Sequence, residues 1–431
     1  MADLIRWKDT RGRKPAIING ARQVGKTWLL KEFGKRCFDN VAYVNFDNNS
    51  AMSLLFDTGY DIPRLLTGIQ AETGERIAAG KTLIIFDEVQ ECPKALTALK
   101  YFNEDAPDQQ IVAAGSLLGL AVHQGTGYPV GKVTAFDLYP LSFREFLDAV
   151  GEEALCGLLN SEDASAFAPF SQRLTALLRQ YYFTGGMPEA VAAFVASGAL
   201  QDAREVQDQI LLGYRRDISK HLAPNESEQT FAVWNSLPAH LGRENKKFVF
   251  GHIKEGARAR DYRSAITWLV EAGLAYRIPR VAKPGIPLAA YADEFAFKLF
   301  ALDVGLLGAM AGLDVNSVLK GNRIFTEFKG ALAEQYVCQQ LIADCKLAPY
   351  YWAAENSSGE VDFLVQDGGA TYPIEVKAEE NLRSKSLRAF SQRYPETHPR
   401  RFSLSGYRDE SWLRNIPLFA IADTTIWYDN Y

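Results

Sequence analysis

The residues best suited to chemistry stand at positions 16–27, Ala-Ile-Ile-Asn-Gly-Ala-Arg-Gln-Val-Gly-Lys-Thr. A short apolar run, 16–18, enters the spacing G-x-x-x-x-G-K-T, and an apolar helical pattern follows through Trp28, Leu29, Leu30 and Phe33. Gly20 and Gly25 permit a tight turn in which the backbone N–H groups between them, those of Ala21, Arg22, Gln23 and Val24, face a phosphate. The positive end of the following helix adds to the attraction. Lys26 has the reach for β- and γ-phosphates, and the Thr27 hydroxyl is a ligand for Mg²⁺. This spacing predicts nucleotide binding, with ATP and Mg²⁺ as cofactors.

A second set follows at 81–88, Lys-Thr-Leu-Ile-Ile-Phe-Asp-Glu, an apolar strand pattern ending in two acids. In a parallel α/β sheet such a strand ends beside the phosphate loop, because ligands meet the carboxyl ends of the strands. Asp87 is then placed to hold Mg²⁺ through water and Glu88 to polarise the attacking water. Two acids after a strand can equally form a solvated turn, but their position downstream of the loop favours catalysis. Further strands are expected at 41–46 and 111–114. The second leads to Ser116, which is either a sensor of the γ-phosphate or a turn serine. Asp47 reads as a strand cap.

The third set is in the last third of the chain. A helix at 328–337 carries Glu334, and the segments 359–365 and 372–377 carry Asp362 and Glu375-x-Lys377, with Asp-Gly-Gly (367–369) as the turn of a hairpin. Alternation along a strand puts Glu375 and Lys377 on one face. Two carboxylates that hold Mg²⁺, with a lysine to orient water, are what metal-dependent phosphodiester cleavage requires. Glu334, Asp362, Glu375 and Lys377 are therefore the catalytic candidates here, Asp362 and Glu375 the metal ligands. The set resembles the PD-(D/E)XK, restriction-endonuclease-like signature. An isolated E-x-K is also what any charged surface strand displays.

Between these sets, 145–240 is mainly helical in pattern. Tyr182-Phe-Thr-Gly-Gly-Met-Pro-Glu-Ala190 interrupts it with a turn, and Pro188 restarts a helix. That turn reads as a helix–helix connection in preference to a nucleotide contact. Arg215 and Arg216 are either a solvated face or an arginine finger. Residues 242–280 hold nine Lys and Arg against four acids, and 381–401 hold six against one, so each stretch is locally +5. Arg258, Arg260 and Arg263 in the first stretch are candidates for contact with a DNA or RNA backbone, as are the cations of the second. Both stretches also suit solvated helices.

The whole chain is 431 residues with 47 Lys and Arg against 52 Asp and Glu, a formal charge of −5, which excludes a protein that coats nucleic acid by bulk charge. With 47% hydrophobic and 23% charged residues it is neither disordered nor of low complexity. The five cysteines form no C-x-x-C pair, the beginning of the chain has no apolar leader pattern, and Asp303 breaks the longest apolar run. A reduced, cytoplasmic protein outside the membrane is expected.

The blocks 19–27, Ile84-Ile-Phe-Asp-Glu-Val-Gln90 and Leu138-Tyr-Pro-Leu-Ser-Phe-Arg-Glu-Phe146 resemble a family of prokaryotic AAA-type ATPases with Walker A and Walker B motifs and a shared C-terminal domain. Gly131-Lys132 departs from the Gly-Arg common in such proteins, which argues against an arginine-dependent role at that point. The resemblance and the patterns together imply an α/β chain. Its order is a P-loop NTPase parallel sheet (1–145), a helical region (146–228), a winged-helix-like domain (229–290) and an α/β restriction-endonuclease-like domain (291–431). The expected function is Mg²⁺-dependent ATP hydrolysis coupled to a nuclease-like domain acting on nucleic acid. The alternative is an ATP-driven signalling or interaction switch whose tail binds a protein partner without cutting.

Overall fold

The structure is a computed structural model. It describes residues 1–116, 129–161, 163–243, 246–314, 323–354, 359–378, 383–423 and 427, with the backbone alone over 323–327. The chain forms two compact units, Met1–Tyr139 with Glu271–Gly273, and Pro140–Val270 with Leu274–Tyr431.

In the first unit five strands, β1 (Ala16–Asn19), β2 (Asn40–Asn45), β3 (Thr82–Asp87), β4 (Gln110–Ala114) and β5 (Thr134–Asp137), form a sheet in the order β2-β3-β4-β1-β5. Every pairing is parallel. Ile17, Ile84, Phe86, Ile111 and Ala113 bury one face, while Ile18, Leu83, Ile85 and Val112 bury the other. Covering both faces explains why β3 reads as an unbroken apolar run. The helix Lys26–Cys37 packs Leu30 and Phe33 on the second face. Parallel pairing brings the carboxyl ends of β1, β3 and β4 to one edge, where a ligand crevice forms.

The second unit opens with helices, the long ones being Ser171–Thr184, Pro188–Ser197, Leu200–His221 and Pro224–Leu241. Arg215 and Arg216 are exposed inside the third of these rather than beyond its end. The Gly185-Gly186 turn is a packing device. A Cβ on Gly186 would collide with the Leu141 backbone, and the Leu141 N–H donates to the Gly186 carbonyl at 2.7 Å.

Eight strands follow in the order β12-β13-β11-β10-β9-β8-β6-β7. They are β6 (Ala275–Val281), β7 (Ala292–Ala301), β8 (Tyr350–Ala353), β9 (Glu360–Asp367), β10 (Ala370–Lys377), β11 (Arg400–Ser403), β12 (Arg408–Asp409) and β13 (Arg414–Pro417). The expected hairpin is β9–β10, with Gly368 and Gly369 both at positive φ in a two-residue turn.

The helix Ala259–Glu271 precedes the β6–β7 hairpin, in the order anticipated for a winged helix. These strands are nevertheless not a separate wing. Residue 280 of β6 pairs with residue 351 of β8, so the hairpin extends the eight-stranded sheet and shares its core.

The helix Arg323–Ala343 is buried on all sides from Ala331 to Leu341. Its glutamines satisfy backbone groups inside the unit: Gln335 bonds both the N–H and the carbonyl of Ala301, at 2.9 and 2.7 Å. Gln339 accepts from the Val304 N–H and Gln340 from the Phe143 N–H, each at 3.0 Å. Cys345 lies past the end of this helix, not on its core face with Cys338. No helix among the described residues is long and apolar enough to cross a membrane.

Candidate functional site

The loop between β1 and its helix owes its shape to three residues at positive φ, Gly20 (150°), Gln23 (65°) and Gly25 (94°). Gly20 also has no room for a Cβ, which would collide with the Leu138 carbonyl. Lys26 begins the helix and is almost fully buried. Its Nζ donates to the Gly20 and Ala21 carbonyls at 2.9 and 2.7 Å. Burial lowers its pKa to about 8, although Glu88 and Asp87 oppose the shift. The flanking Arg22 and Gln23 are exposed, and Val24 is buried.

Thr27 and Asp87, sixty positions apart, meet at the ends of the helix and β3. The Thr27 hydroxyl donates to Asp87 Oδ2 at 2.6 Å. Tyr43 on β2, a residue that the sequence patterns did not single out, donates to the same oxygen at 2.9 Å. Burial, then Asp87, raises the Tyr43 pKa, so it remains a donor. A hydroxyl and a carboxylate in contact are hard oxygen donors and fit Mg²⁺.

Glu88 adopts the left-handed conformation (φ 51°), uncommon for a non-glycine residue, and its N–H donates to Asp87 Oδ1 at 3.0 Å. Gln90 donates to Glu88 Oε2 at 2.5 Å, and the Ser116 hydroxyl reaches the same oxygen at 3.5 Å. Ser116 thus stands beside Glu88. Asp47 donates its own N–H to Asn45 Oδ1 at 2.8 Å, and Lys132 pairs with Glu104 at 2.8 Å.

The C-terminal residues also come together, but with partners the motif does not contain. Lys377 pairs with Glu375 at 2.6 Å, and Asp362 Oδ2 accepts the Val376 N–H at 2.8 Å. Glu334 is ion-paired with Lys246 and has Lys298 at 4.0 Å. Lys298, wholly buried on β7, also pairs with Glu360. Burial alone would lower the Lys298 pKa, yet Glu360, Glu334 and Asp362 outweigh it and hold it above the usual lysine value. Asp362 is pushed up to about 7 by burial and by Glu334.

Asp362 and Glu375, the expected metal ligands, thus lie beside lysines as well as acids. Lysine ammonium groups supply the positive charge of this cluster, and no set of three His, Cys, Asp or Glu among the described residues is arranged to hold a metal. Lys298 had a signal in the sequence, a single cation within 295–302, Phe-Ala-Phe-Lys-Leu-Phe-Ala-Leu, and a buried lysine requires a partner. Lys246 had none.

The basic stretches also separate on folding. Arg400 and Arg401 are buried, with Arg401 bonded to Asn415 at 2.8 Å and to Glu410 at 2.5 Å. Neither is available to a phosphate. Arg280 pairs with Asp293 at 2.7 Å, whereas Arg258, Arg260 and Arg263 remain exposed.

Comparison with known proteins agrees with the first unit. Residues 12–147 match the model of an AAA domain, and residues 175–317 and 329–418 match two domains of unknown function, DUF8612 and DUF4143. An uncharacterized protein of Haemophilus influenzae is 26% identical over 203 residues, 45% of this chain and 44% of that protein. The chain thus spans less than half the length of this curated relative. A Walker-type ATPase of Pyrococcus abyssi aligns over 72% of this chain and 95% of its own, at 12% identity and a TM-score of 0.46. Cdc6p of Pyrobaculum aerophilum aligns over 74% and 91%, at 12% identity and a TM-score of 0.26. By its family match, its parallel sheet and its loop, the segment 12–147 is an AAA-type, P-loop ATPase-like domain.

Proposed function

We propose that the first unit binds ATP with Mg²⁺ and hydrolyses it, and that the second unit is the interaction module of an ATP-driven switch. The 2.6 Å contact between Thr27 and Asp87, beside the buried Lys26 ammonium, carries the first half. Lys26 exchanges its two carbonyl partners for phosphate oxygens, and the loop N–H groups orient the phosphates. Thr27 and Asp87 hold Mg²⁺, which when bound neutralises charge on the β- and γ-phosphates. Glu88, aimed by Gln90 and Ser116, orients a water and accepts its proton. Calorimetric titration with ATP and turnover of the wild type, Lys26→Ala and Glu88→Gln test this reading. Absence of ATP binding by the wild type sinks it.

For the second unit, the lysines among its acids favour a module that binds a partner without cleaving. A second reading, cleavage of a nucleic-acid phosphodiester, is favoured by the Glu375–Lys377 pair at 2.6 Å beside Asp362. The exposed Arg258, Arg260 and Arg263 offer backbone contacts for DNA or RNA. Incubation with DNA and RNA, Mg²⁺ or Mn²⁺, with and without ATP, separates the two. Cleavage lost in Asp362→Ala and Lys377→Ala establishes the nuclease, and no cleavage alongside tight partner binding establishes the switch.

A further inference from the structure

We propose that Phe295, held outward by a bulge in β7 and flanked by arginines, is a stacking platform for an unpaired base of single-stranded nucleic acid. Along the β6–β7 hairpin Pro279 stands opposite Phe297, whereas the next residue, Arg280, stands opposite Asp293. Glu294, Phe295 and Ala296 therefore have no counterpart on β6 and form a bulge. Hydrogen bonds fasten it. The Phe295 N–H donates to Asp293 Oδ1 at 2.8 Å, Arg277 donates to the Glu294 carbonyl, and Arg280 pairs with Asp293 at 2.7 Å. Farther along, the Phe248 N–H donates to the Phe297 carbonyl at 2.8 Å, so this part of the outer edge of β7 is covered. Phe295 itself stays 74% exposed.

A single exposed aromatic residue is ordinary on a protein surface. What sets Phe295 apart is its company. The Arg263 guanidinium, from the helix Ala259–Glu271, lies 5.8 Å from the centre of its ring, within cation–π range. Arg277 lies 4.7 Å from the neighbouring Phe297 ring. Arg260 precedes Arg263 by about one helical turn and so shares its side of the helix. Exposed Arg258, Arg260, Arg263 and Arg277 outnumber the exposed acids Asp261 and Glu294. All of these cations are arginines, whose planar group both grips phosphate and stacks on rings. A single strand presents phosphates to the arginines and the open face of a base to Phe295. In a duplex the base faces are already taken by their neighbours, so the ring has nothing to stack on.

This inference rests on the reading of the second unit as a module that binds a partner, and it requires no cleavage. The full chain is titrated into single-stranded DNA and RNA oligonucleotides carrying one 2-aminopurine base, with a chelator present, and into a duplex of the same DNA. Binding of the wild type to at least one single strand is expected to quench the 2-aminopurine fluorescence, as stacking does. Phe295→Ala should weaken that binding by about 5- to 150-fold and abolish the quenching. Phe295→Leu, which keeps an apolar side chain in the bulge but has no ring, should behave like Phe295→Ala, and Phe295→Tyr like the wild type. Arg263→Ala should reduce the salt dependence of log affinity by about 0.7, one phosphate contact on a single strand. Affinity for the duplex should be the same in the wild type and Phe295→Ala. Single-strand binding that Phe295→Ala leaves unchanged overturns the platform, while backbone contact by the arginines stands. Binding of neither single strand by the wild type also overturns it, and leaves a protein as the partner of the interaction module.

Discussion

The Thr27 hydroxyl and Asp87 Oδ2, 2.6 Å apart, join the first turn of the phosphate-loop helix to the end of β3. β4 lies between β1 and β3, so this contact exists only because the parallel order brings both ends to one edge. Tyr43 fixes the same oxygen from β2. The carboxylate is therefore oriented before any ligand arrives, which limits reorganisation on binding.

Thr27→Ala and Asp87→Asn are each expected to lower ATP turnover by about 100-fold or more, since each removes an oxygen donor from the proposed Mg²⁺ site. Tyr43→Phe leaves both donors but frees the Asp87 carboxylate, and about a 10-fold loss is expected. Steady-state turnover across a Mg²⁺ series measures both, and the loss in Tyr43→Phe should shrink as Mg²⁺ rises.

Lys26 carries a pH signature. Its folded pKa is about 8, below the ordinary lysine value. Between about 8 and about 10.4 the unfolded chain holds more protons than the folded one, so this group makes stability rise with pH in that window. Bound phosphates restore the charged form. At about pH 8.5, ATP binding should take up protons, seen by calorimetry in buffers of different ionisation enthalpy. The uptake should vanish in Lys26→Arg, whose guanidinium stays charged.

Glu88→Gln should retain ATP affinity while turnover falls by about 100- to 10,000-fold, the range of a lost general base. Ser116→Ala and Gln90→Ala act through the orientation of Glu88, and about a 10-fold loss is expected for each. Their pH–rate profiles should shift relative to the wild type, whereas a purely structural role leaves them unchanged.

Asp303 is completely buried and accepts from Gly186 N–H at 2.6 Å, Leu306 N–H at 3.0 Å and Gln339 at 3.2 Å. Asp303→Ala strands these donors, and a loss of at least about 3 kcal/mol is expected in urea unfolding of the second unit. Asp303→Asn, which keeps one acceptor oxygen, should lose less.

How much was legible depended on how local each signal was. The phosphate loop is contiguous, its glycines answer to positive φ and close approach, and its strand and helix carry their own periodicity. The β9–β10 hairpin is similar, because Asp-Gly-Gly specifies a two-residue turn within a short segment. The blocks at 138–146 and 182–190 were visible as patterns, but their shared purpose was not. It lies in the bond between Leu141 and Gly186 and in the anchoring of Gly186 by Asp303, over one hundred positions away.

By itself, the sequence determined the chemistry proposed for the first site, since Gly20, Gly25, Lys26 and Thr27 offer backbone geometry and reach set within twelve residues. It also determined that acids and a lysine stand on β9 and β10. Only the tertiary structure decided what charge these acids face. Lys246 and Lys298 come from distant segments, and Coulomb interactions in a buried cluster depend on distance in space. It likewise turned an expected wing into sheet strands and withdrew Arg400 and Arg401 into the core, because an exposed basic stretch and a buried hydrogen-bonded one have the same sequence.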